Sequence, residues 1–399
     1  MEGRCVISFE EASAILTSHS SPLGYEDVAL ESAVGRVLAA PVIAGVDSPR
    51  AAASAMDGYA LRSCDLATCS DFQVIGAAYP GASFTGTVGQ GECVRIFTGA
   101  RVPGGADQVV VQENIRQEGA IAHVETFPSQ KRHIRERGID FQFGQVLLVE
   151  GSELTPRSIV AAAAADLATL RVWRRPRIGI VATGDELIEP GSARASPESI
   201  PESVSFGVAA LAQAWGGQVV RRHRLRDELA SMQSGVVSAL HGVDTLVMTG
   251  GASVGDKDFA RAACMATGAE VLFAKVAIQP GKPVWFARAG EQLILGLPGN
   301  PSAAMVTARL FLAPLIAGLV GLGCSAALQW RRLELTQPLG PAGERETFVR
   351  GCASGSTAAA VSNQDSGMQF ALAEADLLIR RPPHAPEAVV GSPVDVLDF

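Results

Sequence analysis

Between Thr249 and Asp258 the chain reads Thr-Gly-Gly-Ala-Ser-Val-Gly-Asp-Lys-Asp, directly after the apolar run Thr245 to Met248. Glycines at 250, 251 and 255 let backbone N–H groups approach a phosphate closely, and Ser253 adds a hydroxyl. Asp256 and Asp258 offer hard oxygen ligands of the kind Mg²⁺ takes. The chain has only four lysines, and three of them, Lys257, Lys275 and Lys282, fall in one short segment. A compact ammonium is a common holder of oxyanion charge, although the same cluster also reads as part of a solvated face.

Two other loops carry related chemistry. Thr183-Gly184-Asp185-Glu186 brings two carboxylates after the apolar run 177–182, and Pro298-Gly299-Asn300-Pro301 places an asparagine before a proline that would open a helix. Such a helix start would aim N–H groups and partial positive charge at an anion. The blander readings are a capped turn and a rigid turn. Gln279-Pro280-Gly281-Lys282-Pro283 would hold Lys282 in a stiff turn, and Asp57-Gly58 reads by default as a turn.

For these loops to meet, the elements between them must form one sheet. Apolar strands at 177–182, 218–221, 245–248, 270–274 and 292–295 alternate with helical stretches at 205–215, 228–240 and 259–267 and with a final helix after 301. This pattern predicts a doubly wound parallel sheet, whose ligands bind beyond the carboxyl ends of the strands. Residues 8–40 predict two helices, the first over 9–17 capped by Ser8, the second presenting Leu30, Val34 and Leu38 on one face. Short β runs follow at 72–76, 92–96, 108–112 and 120–125, then helix over 156–167, a boundary at Arg174-Arg175-Pro176, and β character again after about residue 324 (331–336, 347–351, 358–362 and 393–397) with a helical piece at 368–373.

Composition narrows the function classes. With 399 residues and 47% hydrophobic content the chain is a globular protein of several domains. A net charge of −8 without a long basic tract argues against nucleic acid or an anionic membrane as partner. Seven cysteines without a Cys-x-x-Cys pair indicate neither a disulfide framework nor a zinc site, and fit reduced thiols in the cytoplasm. The N-terminus does not read as a signal peptide. Leu310 to Leu328 carries nineteen residues without a charge, but its proline and glycines predict a buried helix plus a connection rather than a membrane span.

Taken in order, Ser54-Ala-Met-Asp-Gly-Tyr59, Arg95-Ile-Phe-Thr-Gly99, Val110-Val-Gln-Glu113, Thr183-Gly-Asp-Glu-Leu187, the 249–258 loop, Pro280-Gly-Lys-Pro283 and Pro298-Gly-Asn-Pro301 resemble the MoeA family of molybdopterin molybdenumtransferases, related to the C-terminal domain of gephyrin and its plant counterpart. The resemblance covers nearly the whole chain. It implies an elongated helical domain (1–41 and 142–174), an inserted β domain (42–141), a MogA-like α/β domain (175–323) and a C-terminal β-barrel-like domain (324–399). It also implies a homodimer whose active site lies between the α/β domain of one subunit and the β domain of the other.

The implied chemistry is Mg²⁺-dependent: adenylylated molybdopterin and molybdate enter, molybdenum is inserted at the dithiolene and AMP leaves. By that resemblance Asp57, Asp140, Glu186, Asp227, Asp258, Lys275 and Lys282 are catalytic, with Asp57, Glu186 and Asp258 on the metal. Thr183, Gly184, Asp185, Gly250, Gly251, Ser253, Gly255, Pro298, Gly299 and Asn300 line the pterin and nucleotide site. A molybdopterin adenylyltransferase and recipient molybdoenzymes are the implied partners. Four departures stand out: Pro201-Glu202-Ser203-Val204 replaces a Tyr-Asp-Ser/Thr-Asn motif, Gln279 a lysine, Ile139 an acidic residue, and Gln369-Phe370-Ala371 a serine pair. They leave open a second reading, a divergent paralogue that carries molybdopterin or the finished cofactor without full turnover.

Overall fold

The computed structural model describes residues 6–128, 131–250 and 259–399. Two compact units result, one of Met1–Glu26, Gly35–Ala39 and Arg171–Phe399, the other of Asp27–Val34 and Ala40–Leu170.

The larger unit opens with helix α1 (Phe9–Ser18), where Ser8 and Glu11 form a reciprocal capping box and Phe9, Ala12 and Leu16 face inward. Its sheet contains β1 (Arg177–Thr183), β2 (Gln218–Leu225), β3 (Thr245–Thr249), β4 (Glu270–Phe273), β5 (Trp285–Ala289) and β6 (Gln292–Leu297), in the order β2-β1-β3-β6-β5-β4. The first four in that order are mutually parallel, and β5 runs antiparallel to both β6 and β4. The expected all-parallel sheet is therefore mixed at one edge. Sequence reading missed β5 because Gly290, at φ +59, joins it to β6 as a hairpin with no helix between them.

Helices cover both faces. Helix α2 (Val204–Ala214) buries Val204, Val208 and Ala212 on the face that includes Ile178, Ile180 and Val247. Helices α3 (Leu229–Leu240) and α4 (Phe259–Ala266) pack on the other, against Val181, Leu246, Met248 and Ile294. Such side chains each contribute roughly 1.5–3 kcal/mol when fully buried. Helix α5 (Pro301–Leu319) is the one helix among the described residues long and apolar enough to cross a membrane, and it lies within the first of these cores. Its Arg309 donates to the carbonyls of Asp398 and Ala327, and burial pulls that guanidinium down to about 10.

Beyond α5 the chain forms a closed barrel of β7 (Arg331–Leu335), β8 (Glu346–Ser354), β9 (Thr357–Ala360), β10 (Leu377–Arg381) and β11 (Pro393–Asp398). Closure follows from the pairings β8·β9, β9·β7, β7·β11, β11·β10 and β10·β8. The strand Leu377–Arg381 completes the ring and was not expected from sequence.

The smaller unit holds a six-stranded sheet in the order 108–111, 58–61, 92–96, 71–78, 121–124, 115–118. Apolar side chains pack on both of its faces, Tyr59, Leu61 and Phe72 on one, Ala60, Val94 and Ile96 on the other. Gly58–Leu61 is thus a central strand buried along its length, so it lacks the alternation by which a half-exposed strand is read. Helix Pro156–Ala164 forms as expected, with Thr155 as cap. The second N-terminal helix does not. Only Leu30–Ser32 makes a short 3₁₀ turn, and Gly35, at φ +73, stops any helix from continuing to Leu38.

Candidate active site

Strand register sets the geometry in the larger unit. Ala182 pairs with Thr249, and Thr249 with Leu297, so three strands end level and their following loops share one rim. Contact there is close. A Cβ on Gly250, whose φ is +87, would fall 2.5 Å from the Thr183 carbonyl oxygen, and one on Gly299 would fall 3.3 Å from the Gly250 Cα. Glycine at 250 thus answers both a left-handed backbone and a lack of space.

The rim encloses a cleft of about 540 Å³. Of the residues expected in the site, Thr183, Gly184, Glu186, Asp227, Gly250, Pro298, Gly299 and Asn300 line it. Asp185 instead lines a neighbouring cavity of about 430 Å³ with Arg224, Arg226 and Glu228, and its Oδ1 accepts from the Asp227 amide at 3.3 Å. Lys275 and Lys282 are not among the cleft's lining, although Pro283 is. Gly251, Ser253, Gly255, Asp256, Lys257 and Asp258 lie outside the described residues.

Asn300 departs from expectation. It sits at the N-cap position of α5 with extended backbone, yet its side chain does not cap the helix; its Nδ2 donates to Ser366 Oγ at 2.9 Å. Pro301 has no N–H, and the Ser302 amide goes to the Ser366 carbonyl at 3.0 Å. The α5 start therefore offers an anion fewer free donors than its sequence promised.

Sequence reasoning also missed the wall made by the barrel. Arg350 is 1% exposed and donates to Ser302 Oγ and to the carbonyls of Asn363 (3.1 Å) and Asp365 (3.0 Å), while burial depresses its pKa. The clamp holds the 363–367 turn on the α5 start, and Gly367 and Gln369 reach the cleft. The run Asn-Gln-Asp-Ser-Gly signals a turn, but nothing in it signals a partner.

The departures from the family pattern now have surroundings. Val204 is nearly buried and lines the cleft beside Glu202 and Ser203. Gln279 accepts from Arg345 Nη2 at 3.4 Å, so a guanidinium stands where the lysine charge is missing. Both line a smaller cavity of about 250 Å³ with Thr347 and Ser366. Phe370 is 80% exposed next to Gln369, and Ile139, in the smaller unit, is 64% exposed.

In the smaller unit Asp57 precedes the strand Gly58–Leu61. Its Oδ1 accepts from the Thr98 amide at 2.7 Å and from Thr98 Oγ1 at 2.8 Å. These two donors, the amide first, and then Arg95 hold its pKa below the usual carboxylate value. Arg95 is itself held by Gln112 at 2.6 Å and lies over the Tyr59 and Phe97 rings. Asp140 is exposed, with Ser48 Oγ 3.3 Å from its Oδ2.

Among the described residues no group of three His, Cys, Asp or Glu side chains gathers as a metal site. Glu186 and Asp227 nevertheless share the cleft, and the Glu186 carboxylate makes no hydrogen bond among the described residues. Two hard carboxylates that leave positions for water and phosphate fit Mg²⁺, which seldom occupies an all-protein cage.

Comparison with known proteins decides the family. Three family models match in succession: the MoeA N-terminal region (domains I and II) over 7–165, a probable molybdopterin binding domain over 179–318, and the MoeA C-terminal region (domain IV) over 332–399. The molybdopterin molybdenumtransferase of Staphylococcus aureus is 31% identical over 407 aligned residues, covering 100% of this chain and 96% of its own length. This chain belongs to the MoeA family of molybdopterin molybdenumtransferases. The Bacillus subtilis member is 37% identical, with 79% of this chain and 75% of that one covered. A molybdopterin biosynthesis MoeA protein of Pyrococcus horikoshii superposes with a TM-score of 0.86 at 25% identity, covering 99% of both chains. The family is one of transferases, and its architecture of α/β sheet, inserted β domain and terminal barrel is the one described above.

Proposed function

We propose that this protein inserts molybdenum into adenylylated molybdopterin with release of AMP, as the final step of molybdenum cofactor biosynthesis. What supports the reading above all is the cleft, where the loops after β1, β3 and β6 meet on a glycine contact between Gly250 and Gly299 inside the segment matched as a probable molybdopterin binding domain. Glu186 and Asp227 would hold a Mg²⁺, which when bound supplies neutralising charge to the phosphate oxygens. The backbone at Thr183, Gly184 and Gly250 lines the ligand, and the Arg350 clamp fixes the far wall so that the pterin and the nucleotide keep one orientation.

Asp57, Asp140, Lys275 and Lys282 belong to the same reading as groups that hold or position charge, with Asp258, Gly251, Ser253 and Gly255 completing the loop after β3. In this reading the protein works as a cytoplasmic homodimer, Asp57 of one copy serving the cleft of the other. It has four domains in each copy, takes its substrate from a molybdopterin adenylyltransferase and passes the product to molybdoenzymes.

The test is anaerobic incubation of the purified protein with adenylylated molybdopterin, Mg²⁺ and molybdate. AMP release that is lost in Asp57→Asn and Glu186→Gln is the expected outcome. Tight binding without AMP release would point to a carrier and sink the insertase reading.

A further inference from the structure

Among the described residues no lysine or arginine lines the main cleft, which carries Glu186, Glu202 and Asp227. Two helix starts border it, and the chain itself has occupied both. At α5 the Ser302 amide is taken by Ser366. At α2 the occupant is Glu202, only 6% exposed, which accepts from the Ser205 amide at 2.8 Å and from Ser205 Oγ, with Arg222 Nη1 at 3.9 Å. A carboxylate already seated on that helix dipole repels a second anion from the same place.

The neighbouring cavity is different. It meets the cleft at Gly184, which lines both, and it contains Arg224 and Arg226 at the end of the edge strand β2. Arg224 donates to the Leu187 carbonyl, which aims it toward the loop after β1. Arg226 is exposed and makes no hydrogen bond or ion pair among the described residues. A guanidinium with its donors unspent presents the planar fork that suits phosphate. The same cavity holds Asp185, with one oxygen on the Asp227 amide, and Glu228. Those carboxylates balance the arginines, so free inorganic phosphate gains little there; a phosphate tethered to a group seated in the main cleft gains more, through effective concentration.

We infer that the Arg224–Arg226 cavity is the subsite for the phosphate of a nucleoside monophosphate moiety whose remainder lies in the main cleft, and that Glu202 excludes that phosphate from the α2 start. The inference rests on the cleft being a nucleotide-carrying site, and it adds where the charge goes.

The experiment is calorimetric titration of AMP, adenosine and inorganic phosphate into the full-length protein and into Arg226→Gln, Arg226→Lys and Glu202→Gln. Arg226→Gln should weaken AMP roughly tenfold, the loss of one charge-assisted contact. Adenosine should bind the wild type and Arg226→Gln alike, inorganic phosphate should bind weakly throughout, and Arg226→Lys should recover part of the loss. Arg226 is exposed and makes no hydrogen bond or ion pair among the described residues, so a circular dichroism spectrum like that of the wild type is expected. Equal AMP affinity in wild type and Arg226→Gln overturns the subsite while leaving the cleft reading intact. So does tighter AMP binding in Glu202→Gln that is indifferent to Arg226. A wild type that binds neither AMP nor adenosine overturns both.

Discussion

The cleft of the α/β unit and the Asp57 loop of the β unit position carboxylates in opposite ways. The Asp57 carboxylate takes its hydrogen bonds from a single neighbour, because the pairing of Gly58 with Ile96 brings Thr98 beside it and both Thr98 donors reach one oxygen. The cleft is assembled from segments that are far apart in sequence. Thr183, Gly250 and Gly299 meet only because three strands end level, and the far wall depends on Arg350, which reaches to Ser302 and back to Asn363. A device with one support survives damage elsewhere in the molecule. One with several fails when any of them is removed.

That difference is broken most severely at Arg350. Replacing it with methionine takes the charged donor from the Ser302 hydroxyl and the Asn363 carbonyl, and one of two donors from the Asp365 carbonyl, at a cost of about 3 kcal/mol. Hydrogen exchange should show the 301–307 and 363–369 backbone opening while Gly58–Leu61 keeps its protection. Equal loss of protection in both units would contradict the contrast. Gly250→Val comes next. The added Cβ meets the Thr183 carbonyl at 2.5 Å on a backbone at φ +87, so about 2–3 kcal/mol of stability should be lost, and AMP release with it. Full AMP release in a variant of unchanged melting temperature would show that the three loops need not touch.

The same contrast explains what could be read in the sequence. The helices and parallel strands of the α/β unit were legible because their patterns are periodic, and the three rim loops because glycine, aspartate and proline there have few other uses. Gly58–Leu61 was illegible, being buried on both faces and therefore without a period, and Trp285–Ala289 was hidden by the break in α/β alternation that its hairpin makes. Arg350 looked like an ordinary charged residue in a strand, and Glu202 stood out only as part of a segment that departs from the family motif. Their importance depends on burial and on partners that no local pattern announces, 48 positions away for Arg350 and Ser302. Asp57 looked like a turn residue and was singled out only through the family resemblance.

The smallest effect is expected at Thr98, where the device with one support can be tested alone. In Thr98→Val the amide donor to Asp57 remains and the hydroxyl donor is lost, so the Asp57 pKa should rise part of the way toward its ordinary 3.8. The sign follows from linkage. A carboxyl whose folded-state pKa is depressed adds stability above its unfolded-state pKa, and that contribution disappears as pH falls through the folded value. The wild type should therefore exceed the variant in stability by a small margin at pH 7, and the Asp57 part of that margin should close as pH falls below 3.8 and past the depressed value. Chemical denaturation at pH 7 and pH 3, with carboxyl NMR titration of Asp57, measures both. A margin unchanged by pH, or an Asp57 titration identical in the two proteins, would mean that the Thr98 hydroxyl does not hold the carboxylate and that the amide alone positions it.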